Sequence, residues 1–121
     1  NHHMVMDEPK RLKGKDLGMN PYEALLASLG GCTAMTMKMY AQRKDYDLHG
    51  VEVKLRHEKI YAEDCENCES KEGLIDRVTM HLSISGDLTQ EQKESIYAIA
   101  EKCPVHRTLT HEVSIVTHNE A

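Results

Sequence analysis

The sequence predicts an α+β domain in which helices lie against an antiparallel sheet. Three observations carry this. The stretch Ala24 to Met37 has no charged side chain and follows a helix-start signal. Val51 to Tyr61 and Val78 to Ile84 alternate apolar and polar residues, the pattern of half-exposed strands. A second capped segment, opened by Thr89, then spaces its apolar residues as one helical face.

Taken in order, His3 to Asp7 reads as a short strand, and Glu8 to Met19, with Pro9, Gly14, Gly18 and several basic residues, as a mobile loop. Asn20-Pro21-Tyr22-Glu23 opens the first helix: an N-cap side chain, proline at the first helical position, and glutamate at the third, as in a capping box. That helix is expected to run to about Lys44. Its residues 24–37 are apolar or small on every side, which predicts a central helix buried all round. Gly30-Gly31 costs about 1 kcal/mol per residue relative to alanine in a helix, so another backbone is expected to approach there.

In the strand Val51 to Tyr61, Val51, Val53 and Leu55 share one face, while Glu52, Lys54 and Arg56 share the other. Val78, Met80, Leu82 and Ile84 repeat the pattern, so the segments are expected to pair antiparallel through the polar loop Glu63 to Gly73. Gly86-Asp87 turns into the second helix, with Thr89 as cap, Gln92 at the third position, and Ile96, Ile99, Ala100 and Cys103 on one face. Pro104 ends or kinks it. A last strand, Glu112 to Thr117, completes the order strand, helix, two strands, helix, strand.

At 121 residues the chain is read as a single domain over 1–121, small enough for a second copy to add useful burial. The start Asn1-His2-His3-Met4 reads either as a tag remnant or as the end of a strand that begins upstream. With no Phe or Trp, the core falls to Leu, Ile, Val, Ala, Tyr and seven adaptable Met residues. Met35, Met37 and Met39 alternate and so cannot share one helical face; they read as core and interface filling. A net charge of −5 with scattered Lys and Arg argues against nucleic acid and anionic membrane as partners. The uncharged run is well short of the roughly 20 residues of a membrane span. The N-terminal residues have no apolar core of a signal peptide, so a cytoplasmic location is expected.

There are four cysteines. Cys32 stands in the apolar helix and Cys103 at a helix end, in Lys102-Cys103-Pro104-Val105-His106-Arg107. Such an arrangement suits a thiol redox pair, in which one thiolate attacks an oxidant and the other resolves the sulfenic acid as a disulfide. Inert packing is the alternative for each. His106 and Arg107 read as surface or capping groups, with Arg107 also placed to favour a thiolate. Cys65-Glu66-Asn67-Cys68 is a separate C-x-x-C signal in an acidic loop. It fits three readings: a zinc site completed by His57 and His81, a redox pair, or a plain loop. No metal and no cofactor are expected as the main reading.

The run Asn20-Pro21-Tyr22-Glu23-Ala24-Leu25-Leu26-Ala27-Ser28-Leu29-Gly30-Gly31-Cys32, continued by Thr33-Ala34-Met35-Thr36-Met37, resembles the first cysteine helix of the OsmC/Ohr family, the osmotically inducible and organic hydroperoxide resistance proteins. Lys102-Cys103-Pro104-Val105-His106-Arg107-Thr108-Leu109 resembles its second cysteine segment. The resemblance implies an OsmC-like fold, an antiparallel sheet wrapped around a central helix in an intertwined homodimer. It also implies a cysteine-based peroxidase in which Cys32 attacks an organic hydroperoxide and Cys103 resolves it, with a dithiol or lipoyl-type reductant restoring the pair. The peroxidase members carry a Glu and an Arg where this chain has Tyr22 and Leu12. Glu23, Arg11 and Lys13 are the nearest replacements, each one residue out of register, which on a helix rotates a side chain by about 100°. That departure keeps a second function open: a non-catalytic OsmC-like stress protein binding a small ligand or metal.

Overall fold

The computed structural model describes residues 1–120. Three helices and two long strands follow one another: α1 (Pro21–Arg43), β1 (Asp47–Tyr61), β2 (Leu74–Asp87), α2 (Gln90–Ile99) and α3 (Pro104–Thr110). Short 3-10 turns occur at Lys10–Leu12, Ala62–Asp64 and Ala100–Lys102. The α+β class read from the sequence is the class observed. β1 and β2 form a two-stranded sheet. Asp47 lies opposite Gly86 and His57 opposite Asp76, so numbers fall on one strand as they rise on the other, and the pair is antiparallel.

The alternation of the sequence sets the faces. Along β1, Val51, Val53, Leu55 and His57 are half-buried, while Glu52, Lys54, Arg56 and Glu58 are exposed. Gly86, at φ +148°, sits where a Cβ would strike the Asp47 carbonyl, so this end of the hairpin requires glycine.

Residues 1–30 with 52–83 form one compact unit, and residues 31–51 with 84 onward a second. In the first, the segment before α1 is organised by Asp7. Its carboxylate accepts the backbone N–H groups of Glu8 at 2.8 Å, Lys15 at 3.1 Å and Leu17 at 3.2 Å. Chiefly the Leu17 and Glu8 contacts hold this carboxyl below its usual range. The segment expected to be mobile therefore folds back on Asp7, and the strand expected at His3 to Asp7 is reduced to one bridge between Met6 and Met19.

In the second unit the fully enclosed side chains are Thr33, Met37 and Ala41 of α1 with Ile96, Ala100 and Cys103. Their spacing marks two helical faces that supply this unit's core. Thr89 caps α2 as expected: its hydroxyl accepts from the Gln92 N–H while the Gln92 side chain accepts from the Thr89 N–H, each at 3.1 Å.

Several expectations are corrected. The strand expected at Glu112 to Thr117 is absent; residues 111–120 are exposed and irregular, and among the described residues the sheet has no third strand for them to join. Pro104 does not merely end a helix: it occupies the first position of α3, where its missing N–H costs nothing. At Gly30 the close neighbour is a side chain, not a backbone, since a Cβ there would come within 2.8 Å of Leu55 Cδ1. At Gly31 there is open space. Burial of α1 is one-sided in a single chain: Leu29, Thr33, Met37 and Ala41 are enclosed, but Met35 and Met39 remain 65% and 63% exposed. Among the described residues no helix is long and apolar enough to cross a membrane.

Candidate functional site

Cys103 is placed by a break in the chain direction. After α2 and its 3-10 turn the backbone becomes extended at Cys103 (φ −68°, ψ 143°), and α3 starts at the next residue. Cys103 is thus the N-cap of α3, and its sulfur accepts the backbone N–H of His106 at 3.2 Å. On the facing side, α1 brings Thr33, whose hydroxyl lies 3.6 Å from the same sulfur. Cys32, next to Thr33, places its thiol within hydrogen-bonding reach of Cys103 as well.

Cys103 is fully enclosed, whereas Cys32 is half-buried. Burial pushes the Cys103 thiol up, but the Thr33 hydroxyl, the His106 N–H, the Cys32 thiol and the Val105 N–H outweigh it. The net effect places Cys103 below its ordinary value of 9.0. The thiolate-stabilising groups therefore gather on the second cysteine. Two adjacent free thiols, one reachable from solvent and one held in a donor-rich recess, are the parts needed for a reversible two-electron oxidation. The sequence reading placed both cysteines but missed Thr33 and the capping role of Cys103. The Cys-Pro step was the available signal, since proline at a first helical position leaves the preceding residue as cap.

The remaining candidates lie elsewhere. Cys65 and Cys68 are joined by a disulfide, so neither thiol is available as a zinc ligand. His57 is bound to Asp76, and among the described residues no group of Cys, His, Asp and Glu is arranged to hold a metal. The zinc set Cys65, Cys68, His57 and His81 is not assembled. Glu23 is committed to the start of α1: its N–H donates to Asn20 Oδ1 at 2.9 Å, and its carboxylate accepts from Asn20 Nδ2 at 2.6 Å. Arg11, exposed in the first 3-10 turn, lines a surface cleft of about 600 Å³ with Leu12, Tyr22, Leu26, Leu55 and His57.

That cleft holds an arrangement the sequence did not announce. The rings of Tyr22 and His57 stack, with centroids 4.7 Å apart and planes 10° from parallel. His57 Nε2 meets Asp76 Oδ1 at 2.8 Å, and Lys59 Nζ donates to the same oxygen at 2.9 Å. Lys59 first and His57 second hold the Asp76 carboxyl below its usual range. Tyr22, at the position where the peroxidase pattern has a glutamate, is thus part of an aromatic and ionic cluster.

The model of the OsmC-like protein family matches residues 14–118. The chain belongs to that family. Among solved structures, this OsmC-like chain is similar to an organic hydroperoxide resistance protein OsmC from Legionella pneumophila, with 23% identity, coverage of 88% of this chain and 73% of that one, and a TM-score of 0.62. It is similar to an OsmC-like protein from Mycoplasma pneumoniae, with 23% identity, coverage of 90% and 73%, and a TM-score of 0.65. The organic hydroperoxide resistance protein OhrB of Bacillus subtilis is also similar, with 20% identity, coverage of 78% and 65%, and a TM-score of 0.57. At these identities the structural likeness establishes the OsmC fold. Comparison with curated proteins finds no match.

Proposed function

We propose that this OsmC-like protein reduces organic hydroperoxides through Cys32 and Cys103 in defence against oxidative stress. The observation that carries the reading is an enclosed Cys103, capped on the His106 N–H and 3.6 Å from the Thr33 hydroxyl, with the half-buried Cys32 as the residue next to Thr33. Family membership and the organic hydroperoxide resistance names of the Legionella and Bacillus proteins support it.

In this reading the Cys32 thiolate attacks the distal peroxide oxygen. The O–O bond breaks, the alcohol leaves after taking up a proton, and Cys32 becomes a sulfenic acid. Cys103 then attacks the Cys32 sulfur as thiolate, and water leaves as the S–S bond forms. The lowered Cys103 pKa suits this second step, because a resolving thiol must be deprotonated to attack. An external dithiol, of lipoyl or protein type, returns both cysteines to thiols. Glu23 has no part in the attack in this reading, since its carboxylate is held by Asn20. The working form is a homodimer in the cytoplasm, with the exposed Leu25, Met35 and Met39 face of α1 covered by the partner.

The test is turnover with cumene hydroperoxide and a dithiol. Cys32→Ser abolishes it, while Cys103→Ser reacts once and stops at the sulfenic acid. Wild-type turnover in Cys32→Ser refutes the assignment. A second reading, a ligand-binding stress protein without peroxidase activity, is favoured by the cleft at Arg11, Tyr22 and His57 and by Tyr22 and Leu12 at the Glu and Arg positions. Ligand binding with no peroxide-dependent loss of Cys32 thiol would select it.

A further inference from the structure

The disulfide Cys65–Cys68 has no part in the reaction above, and it is poorly placed to be a structural brace. It encloses only Glu66 and Asn67, and a cross-link restricts the unfolded chain less as its loop shortens. The hairpin loop it sits in is already closed by the strands and by the Ala62 N–H donating to the Gly73 carbonyl at 2.8 Å. The two sulfurs are also unequal. Cys65 is buried, its N–H held by the Ala62 carbonyl at 3.1 Å, whereas Cys68 is half-exposed. A disulfide between one buried and one half-exposed cysteine, joining no distant segments, has the form of an exchange centre.

We infer that Cys65–Cys68 is a second thiol–disulfide exchange site, taking electrons from an external dithiol through Cys68. A donor thiolate attacks the Cys68 sulfur, the Cys65–Cys68 bond breaks, and Cys65 leaves as thiolate and takes up a proton. The donor's second thiol, as thiolate, then attacks the mixed disulfide. Cys68 leaves and is protonated, and the donor departs as its own disulfide. Two electrons and two protons thereby pass from donor to loop. The charge around the site limits the donor's chemistry. Residues 62–73 hold Glu63, Asp64, Glu66, Glu69 and Glu72 against Lys71 alone. These carboxylates repel an anionic reductant and disfavour the leaving Cys65 thiolate. A donor with cationic surroundings is drawn to the loop and relieves both effects.

The test uses the full chain, with alkylation and peptide mapping of the segment carrying residues 65 and 68. Dithiothreitol is expected to reduce the pair while the circular dichroism spectrum stays native, and oxidised dithiothreitol to restore it. Reduction that occurs only together with unfolding would make the bond a structural staple and overturn the inference. With monothiol probes, the first mixed disulfide should map to Cys68. Rates per thiolate should fall several-fold from cationic cysteamine to anionic mercaptoethanesulfonate, with the gap narrowing at high salt. Capture on Cys65, or no charge order, contradicts the assignment. In Cys65→Ser the remaining Cys68 should form a mixed disulfide at least tenfold faster than Cys65 does in Cys68→Ser, and equal rates count against it. No peroxide enters these measurements, so their failure leaves the Cys32–Cys103 reading standing.

Discussion

The Thr33 hydroxyl lies 3.6 Å from the sulfur of Cys103, a residue 70 positions away. Both side chains are fully enclosed, and the contact joins α1 to the start of α3. Thr33 is the fully enclosed hydroxyl of this uncharged run, and the thiol it faces gives it a polar neighbour there.

Thr33→Val keeps the shape of the side chain and removes the hydroxyl. The Cys103 thiol should become less acidic, seen as an upward shift in the pH dependence of its alkylation. The stability cost should be about 1 kcal/mol, that of one hydrogen bond. An unchanged alkylation profile would show that the N–H groups of α3 suffice.

The acidity of Cys103 links stability to pH. Its folded value is lowered from 9.0, so the unfolded state binds more protons in the window between the two values. The contribution is fully present above 9.0 and is lost as pH falls through the folded value. Denaturation of the reduced protein beside Cys103→Ala should show a stability difference that grows as pH rises toward 9.0. A flat or declining difference contradicts the direction.

Asn20 and Glu23 are expected to act as a helix cap and not as catalysts. Asn20→Ala should lower stability by about 1 kcal/mol. Glu23→Gln, which keeps the acceptor facing Asn20 Nδ2, should leave both the thermal melt and the stopped-flow rate of Cys32 oxidation near wild type. A large loss of rate with intact stability would return Glu23 to the catalytic site.

Met35 and Met39 test the proposed dimer. Both are largely exposed in a single chain, so Met35→Glu with Met39→Glu should change the fold of one subunit little. Burying two charges between subunits should instead drive the protein to monomer in sedimentation. A wild-type protein that sediments as a monomer at micromolar concentration rejects the dimer.

Local pattern carried much of this fold. The Asn20 cap, the alternation of Val51, Val53 and Leu55, and the Thr89–Gln92 box each specify their element through neighbours a few residues away, and each is found as read. What the sequence did not show depends on contacts distant along the chain. Val113 and Ile115 alternate like a strand, but alternation cannot provide an edge to pair with. The stacking of Tyr22 on His57 and the contact of Thr33 with Cys103 require the hairpin and α3 to be in place. Glu23 carries two sequence signals, a capping box and a family pattern, and the bond to Asn20 is the one the capping box implies.

The most direct measurement is the fate of the thiols after one equivalent of cumene hydroperoxide. Two thiols should be lost, and a peptide cross-linked through Cys32 and Cys103 should appear. If both thiols persist, or if Cys32 is oxidised without joining Cys103, the redox pair is contradicted.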